Sequence, residues 1–415
     1  MNNSYLLLDQ ADDLAKYATQ FHFPKQQNGE PYIYLVGHSL GLQPKETASH
    51  MTKELERWAQ LGVRGHFEGS PGWMDYNDDL SEITAGLIGA ERSEVTIMNT
   101  LTVNLHLLLA SFYQPQGKRT KVLIEKNAFP SDRYAIESQI AWRGLEVQDE
   151  LIEVGSADNN YRIDLDDVAE IMEQHGDQIA LVMLGGINYY TGQLLDLAGI
   201  TNVAQRHGCM VGFDLAHAIG NAPIDAYSAG FDFAVWCNYK YLNSGPGSLG
   251  GCFVHDRHRD REPALKGWWG HHRDTRFLMD GKFQPAEGAE RWHLSTIPTF
   301  SLVPCRASLE IFEEVGMERL RKKSIALTGY LEHQLRALFP EQISIITPVA
   351  ADQRGCQLSL KVRGASRDLS VRLRKRGVMI DWREPDVLRV APTPLYNSYK
   401  DVWQFCQILS ESLAP

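Results

Sequence analysis

The sequence predicts an α/β fold, with a large domain built on a mostly parallel sheet and a smaller α+β domain after it. Three observations lead there. From about Glu94 to Lys240, short β-branched runs alternate with amphipathic stretches, the rhythm of right-handed βαβ units. After Pro304 that rhythm gives way to long helical patterns mixed with short strands. The chain has 415 residues and 43% hydrophobic content, enough to bury about three quarters of its unfolded surface in two or three core units.

Taken in order, EVTIMN precedes TVNLHLLLASF, TKVLIEK precedes SDRYAIESQIAW, and ELIEVG precedes DLDDVAEIMEQHG. IALVMLGG precedes LLDLAGITNVAQRHG, and the runs CMVGFD and FDFAVWC follow. Beyond Pro304 the pattern predicts a helix around ASLEIFEEV. A second, ALTGYLEHQLRALF, sets Leu327, Leu331, Leu335 and Leu338 on one face. Strand-like ISIIT, CQLSLKV and VMIDWR follow with helical RDLSVRLRKRG among them, and YKDVWQFCQILSESL closes the chain as a helix. The expected division is 1–50 as a segment packing with the small domain, 51–303 as the large domain and 304–415 as the small one.

Composition excludes several classes. Forty-one Lys+Arg against 52 Asp+Glu leave a net charge of −11, which argues against a nucleic-acid partner. MNNSYLLLDQADDL has no basic region, so no signal peptide is read there. No apolar stretch approaches the ~20 residues of a membrane span. Six scattered cysteines without a CxxC pair fit reduced thiols, and a cytoplasmic location is expected.

Some apparent motifs are decoys. Gly245, Gly247 and Gly250 spell GxGxxG, yet the run leads into strand-like GGCFVH instead of opening a helix. HDRHRD (255–260) and His271-His272 lack metal-ligand spacing, and the first reads as a solvated loop. No metal site is expected.

Two segments sit where an α/β sheet presents its ligands, at the carboxyl ends of strands. CMVGFDLAHAIG ends an apolar run on Asp214, with His217 three residues later; the ordinary alternative is an Asp that caps the next helix. FDFAVWCNYKYLNSGPG places Lys240 beyond another apolar run, 26 residues after Asp214, where a surface charge is the ordinary alternative. Together they fit pyridoxal phosphate, which needs a lysine amine for its aldehyde and a carboxylate to keep its pyridine nitrogen protonated. Asn99 or Thr100 caps a helix whose start, Leu101 and Thr102, suits a phosphate. Phe129, opening FPSD after TKVLIEK, supplies an aromatic cover for the ring.

Seven motifs stand in order: YLVGHSLGLQPK (34–45), FPSDRYAIESQ (129–139), YYTGQ (189–193), FDLAHAIGN (213–221), NYKYLNSGPG (238–247), GWWGH (267–271) and RVAPTPLYNS (389–398). On these, from about Tyr34 to Asn397, the chain resembles the kynureninase family of fold-type-I pyridoxal-phosphate enzymes in the class-V aminotransferase group. The resemblance implies a seven-stranded large-domain sheet and hydrolytic cleavage of the Cβ–Cγ bond of L-kynurenine or 3-hydroxy-L-kynurenine. L-Alanine and anthranilate, or 3-hydroxyanthranilate, are the implied products.

The resemblance also implies roles. Lys240 binds the cofactor covalently and then serves as base, Asp214 pairs with the pyridine nitrogen, and Phe129 stacks on the ring. Asp132 and His217 lie close to the cofactor. Leu101, Thr102 and Tyr239 bind phosphate, and Tyr239 is also a candidate proton donor. Trp268 and Thr296 reach the phosphate from the second subunit of a homodimer whose site is shared. Arg389 takes the substrate α-carboxylate, a pairing suited to a bidentate guanidinium. Near the substrate ring stand His66 and Trp269, for which a packed loop histidine and an interface tryptophan are the competing readings. The family commonly reads NSLG where this chain has His38-Ser39-Leu40-Gly41, so the Asn role is altered or passes to imidazole. Where a Ser or Thr often contacts cofactor, this chain carries Gly185, and that contact is missing or made by backbone.

Two rival functions make demands that this sequence does not meet. A cysteine desulfurase needs a nucleophilic Cys on a C-terminal loop, yet none falls between Cys356 and Cys406. A non-catalytic regulator would carry an added DNA-binding segment or a damaged Lys/Asp pair, and the chain has neither.

Overall fold

The computed structural model describes residues 4–155 and 161–413. Its main sheet has seven strands: β1 (Val95–Met98), β2 (Lys121–Glu125), β3 (Leu151–Val154), β4 (Ile179–Gly185), β5 (Met210–Asp214), β6 (Phe233–Cys237) and β7 (Gly250–Val254). They lie in the order β1-β7-β6-β5-β4-β2-β3. Only β7 runs antiparallel, against β1 and β6, so the sheet is mostly parallel as expected. Every residue of β4 and of β6 is buried, the signature of strands covered on both faces. Trp236, Phe213, Phe231, Phe233 and Phe253 fill the layers beside them.

Helices α1 (Glu46–Leu61) and α2 (Asp78–Ile88) precede the sheet, while α3 (Leu101–Phe112) and α4 (Pro130–Trp142) follow β1 and β2. The supposed dinucleotide glycines serve this architecture. Gly245 and Gly247 turn with positive φ, and the chain enters β7 at Gly250. A Cβ on Gly250 would stand 2.4 Å from the Trp236 carbonyl and 3.2 Å from Leu101 N, so glycine lets α3 start against the sheet.

The expected break at Pro304 falls inside a helix. α5 (Thr299–Val315) runs through that proline and packs on α1 and α2, its Leu302, Val303, Leu309 and Phe312 belonging to the main core. α6 (Met317–Leu338) then buries Leu327, Leu331 and Leu335 against a second sheet. Leu338, expected on the same face, is 40% exposed, because the helix ends there and Phe339 takes the core position. The second sheet, all antiparallel, contains β8 (Ile343–Ile345), β9 (Leu358–Val362), β10 (Asp381–Arg383) and β11 (Val387–Val390) in the order β8-β9-β11-β10. α7 (Tyr399–Leu413) packs on α6, and its Val402, Phe405, Cys406 and Leu409 join the core of this sheet.

Of the segment 1–50, the described residues 4–50 lie against both cores. Leu14, Tyr17, Phe21 and Leu42 join the main one. Leu35 joins the second, Ile33–Tyr34 pairs with Val378–Met379, and Asp9 caps α7. The run 255–260 is solvated only in part: Arg257, Arg259 and Asp260 are exposed, whereas its two histidines turn inward. His258 Nε2 lies 2.7 Å from the buried Asp232, and His255 Nδ1 lies 3.4 Å from the buried Glu94. These acids need partners once they leave water. Among the described residues no helix is long and apolar enough to cross a membrane.

Candidate active site

The carboxyl ends of β2, β4, β5 and β6 converge with the start of α3 around one cleft. Its walls are Leu101, Thr102, Glu125, Phe129, Ser131, Asp132, Gly185, Ile187, Tyr189, Asp214, Ala216, His217, Tyr239 and Lys240. Nine of the residues singled out by sequence are therefore neighbours: Leu101, Thr102, Phe129, Asp132, Gly185, Asp214, His217, Tyr239 and Lys240.

Local chemistry explains each position. Asp214 ends β5, and its Oδ1 accepts the Ala216 N–H at 2.7 Å, so it shapes the turn after the strand and opens no helix. Lys240 follows β6, its Nζ 5.8 Å from the Phe129 ring centre and 6.0 Å from that of Tyr239. Phe129 stands just before Pro130 at the first turn of α4, where proline costs no hydrogen bond. It is 38% exposed and meets Tyr189 edge-on at 5.3 Å, leaving ring surface free. Thr100 precedes α3 in extended conformation with no side-chain cap, so the first amides keep their donors for a ligand. Thr102 Oγ1 and Ser131 Oγ, 2.5 Å apart, add hydroxyls there.

Electrostatics set the protonation of this cleft. Burial raises the Asp214 carboxyl, opposed by Lys240, the Ala216 amide and Asp132. Burial and the nearby Asp214 push Asp132 well above its ordinary value, so Asp132 is the partner that keeps the proton. Burial and Lys240 hold His217 well below the ordinary imidazole range, as a neutral ring. Burial raises the Tyr239 phenol, with Cys237 adding to it, so its hydroxyl stays protonated.

Sequence reasoning missed Glu125, Ser131, Ile187, Tyr189 and Ala216. Glu125 carried a readable signal: an acid ending an apolar strand, as Asp214 does. Its carboxyl is buried and pushed up to about 7, with the Asn188 amide opposing and Asp214 adding to the shift. A Cβ on Gly185 would stand 3.4 Å from Glu125 Oε1, so a side chain there would meet that carboxyl at ordinary contact distance.

Arg389 lies behind this wall on β11. It is 1% exposed, donates to the Tyr189 carbonyl at 2.8 Å and pairs with Asp381. His66, Trp268, Trp269 and Thr296 do not line the cleft of their own chain. His66 packs edge-on to Trp73 at 5.5 Å. Trp268 donates Nε1 to the Arg276 carbonyl and is 46% exposed. Trp269 is buried under the Arg276 guanidinium, 4.0 Å from the ring centre, and Thr296 is exposed before α5.

The cleft fits pyridoxal phosphate on its own features. Free amides and two hydroxyls stand at one end, and carboxylates and an amine at the other, with an open aromatic face between. The buried His217 Nδ1 and Asp132 Oδ1 lack hydrogen-bond partners among the described residues.

A family model described as the kynureninase C-terminal domain matches residues 320–409. The kynureninase of Myxococcus xanthus is 49% identical over 404 residues, covering 97% of this chain and 95% of that protein. That of Xanthomonas oryzae pv. oryzae is 49% identical over 96% and 95%, and that of Koribacter versatilis 47% over 98% and 96%. Among solved structures, a mutant of C-DES with glycine covalently linked to its PLP cofactor superposes with a TM-score of 0.78 at 18% identity, covering 92% and 96% of the two chains. The cysteine desulfurase CsdA from Escherichia coli gives 0.75 at 17%, covering 97% and 98%. At such identities the structures share the fold alone. Identity near one half along almost the whole chain carries more: this chain belongs to the kynureninase family.

Proposed function

We propose that the chain is a pyridoxal-phosphate-dependent hydrolase that cleaves the Cβ–Cγ bond of L-kynurenine or its 3-hydroxy form, releasing L-alanine and the aromatic acid. The observation that carries this reading is the meeting of Lys240, Asp214 and Phe129 at the strand ends beside the open start of α3. Bound there, the cofactor supplies an aldehyde for the substrate amine and a ring that accepts electrons.

The chain's own groups do the rest. Leu101 and Thr102 hold the phosphate at the helix start, with Ser131 beside them. Phe129 covers the ring, and neutral His217 adds no charge beside it. Asp214 keeps the proton on the pyridine nitrogen, steadied by protonated Asp132. Lys240 Nζ would hold the cofactor's aldehyde carbon and would serve as the base for the substrate Cα proton. Tyr239 carries a phenolic proton to give. Arg389 takes the α-carboxylate, and His66 and Trp269 border the aromatic ring.

The working unit is a homodimer in which Trp268 and Thr296 serve the partner's phosphate. Its support is the exposed apolar surface on the same stretch: Trp268 at 46%, Phe277 at 51%, Leu278 at 64% and Met279 at 70%. Its setting is the cytoplasm, which suits six free, buried thiols. Those same buried thiols disfavour persulfide chemistry, because none stands exposed as a nucleophile.

The test is direct. Holoenzyme given L-kynurenine or 3-hydroxy-L-kynurenine should form L-alanine and the matching aromatic acid in equal amounts, and the ratio of kcat/KM settles the preferred substrate. Lys240→Ala should abolish both turnover and the lysine-dependent visible absorbance of the cofactor. A yellow, active Lys240→Ala protein would overturn the reading.

A further inference from the structure

The structure places His38 between the cofactor cleft and the Arg389 cluster. The residue is 1% exposed. The imidazole is tilted 36° to that of His217 of the cofactor cleft, with ring centres 6.3 Å apart. Its Nε2 lies 3.4 Å from Asp381 Oδ2, on the side of Arg389. Both ring nitrogens are buried without a geometrically satisfied hydrogen bond, which a packing residue would not need to carry.

Asp381 is the centre of the second subsite. Its Oδ2 accepts from Ser39 Oγ at 3.0 Å, lies 3.2 Å from Arg383, and pairs with Arg389. Two guanidiniums share one carboxylate, so the small cluster retains a positive charge to offer an incoming anion. The direction of the Arg389 fork depends on where Asp381 is held, because the other guanidinium anchor is a rigid backbone carbonyl at Tyr189. Arg389 Nε has no hydrogen-bond partner among the described residues.

We propose that His38 is a positioning residue: wedged between His217 and Asp381, it sets the stance of Asp381 and through it the aim of Arg389 at the substrate α-carboxylate. The inference rests on the assignment of Arg389 to that carboxylate. Neutral imidazole suits the task. It can present an Nε2 donor to Asp381 without adding a third cation beside Arg383 and Arg389, and Nε2 stands farther from Cα than the amide nitrogen of an Asn would. Gln places its amide nitrogen near the position of Nε2 and can replace it.

The experiment uses cofactor-loaded enzyme and two probes. L-Alanine, the amino-acid product, is titrated by the change in cofactor absorbance; L-kynurenine gives KM and kcat. His38→Asn and His38→Leu should each raise the dissociation constant for L-alanine and the KM for L-kynurenine about tenfold, with kcat changed less than about threefold and cofactor affinity kept. His38→Gln should restore both to within about twofold. If Arg389→Ala weakens L-alanine binding while His38→Asn and His38→Leu do not, the positioning role falls and the carboxylate assignment stands. If Arg389→Ala leaves L-alanine binding unchanged, the assignment itself falls. Loss of soluble, loaded protein in both His38→Asn and His38→Leu would also overturn the proposal, by assigning His38 to packing.

Discussion

Asn188 joins two parts of the site: its Nδ2 donates to Glu125 Oε2 at 3.2 Å, while its Oδ1 accepts from the Tyr190 and Thr191 amides and the Thr191 hydroxyl. One side chain thus fastens the YYTGQ loop to the end of β2. The carboxyl it holds is the least expected group in the cleft, and its titration is accessible to experiment.

Glu125 is pushed from an ordinary 4.5 up to about 7. Between those values the unfolded chain releases this proton while the folded chain keeps it, so stability falls as pH rises through the window, by about 3 kcal/mol in all. Glu125→Gln removes the titration but keeps an amide for Asn188. The difference in Tm between variant and parent, both without added cofactor, should therefore move in the variant's favour between about pH 5 and pH 8. A difference that stays constant with pH would contradict this account.

His293 has the opposite sign. Its Nε2 meets Thr96 Oγ1 at 2.6 Å inside the main domain, and burial holds the ring down to about 4. The unfolded chain then binds the proton first, so stability present above about pH 6.5 is lost as pH falls toward 4, by about 3 kcal/mol. His293→Gln keeps a polar partner for Thr96 and cannot titrate. Denaturation midpoints should show the variant less stable at neutral pH, with the gap closing or reversing below about pH 5. His38, held down to about 3 by burial, retains part of the acid sensitivity in the variant.

Phe129 separates cofactor binding from folding. Its side chain is 38% exposed and contributes to the cleft more than to the core, so Phe129→Ala should leave Tm nearly unchanged when no cofactor is bound. Loss of one aromatic stack is worth about 1 kcal/mol, a weakening of cofactor affinity of about five- to tenfold. Fluorescence quenching on cofactor titration reads it. An unchanged affinity would remove Phe129 from the ring-covering role.

Much of this was legible in the sequence because local pattern and site chemistry coincide. The buried strands read as unbroken apolar runs, and Asp214 and Lys240 break them where a parallel sheet presents ligands. What escaped depended on tertiary partners. Glu125 sits at the end of β2 as visibly as Asp214 ends β5, but only the Asn188 clasp and the neighbouring Asp214 show what it does. The histidines at 255 and 258 looked solvated because the buried acids they serve, Glu94 and Asp232, lie far away in sequence. Pro304 looked like a boundary, whereas α5 absorbs it and packs its apolar face on α1 and α2.

The proposed sharing of the site between subunits can be tested only with two chains together. Trp268 lies outside the cleft of its own chain, so in the proposed homodimer its effect is felt in the partner. A Lys240→Ala chain lacks the amine but still offers a normal Trp268, and a Trp268→Ala chain has the reverse defect. In a mixed dimer one cleft carries both lesions and the other carries neither. Random re-pairing of equal amounts makes half the dimers mixed, so about a quarter of all clefts become intact. Activity of the unfolded-and-refolded mixture should rise to about a quarter of the parent's, above the mean of the two variants refolded separately. If Trp268 acted within its own chain, each cleft of a mixed dimer would keep one lesion and mixing would give only that mean.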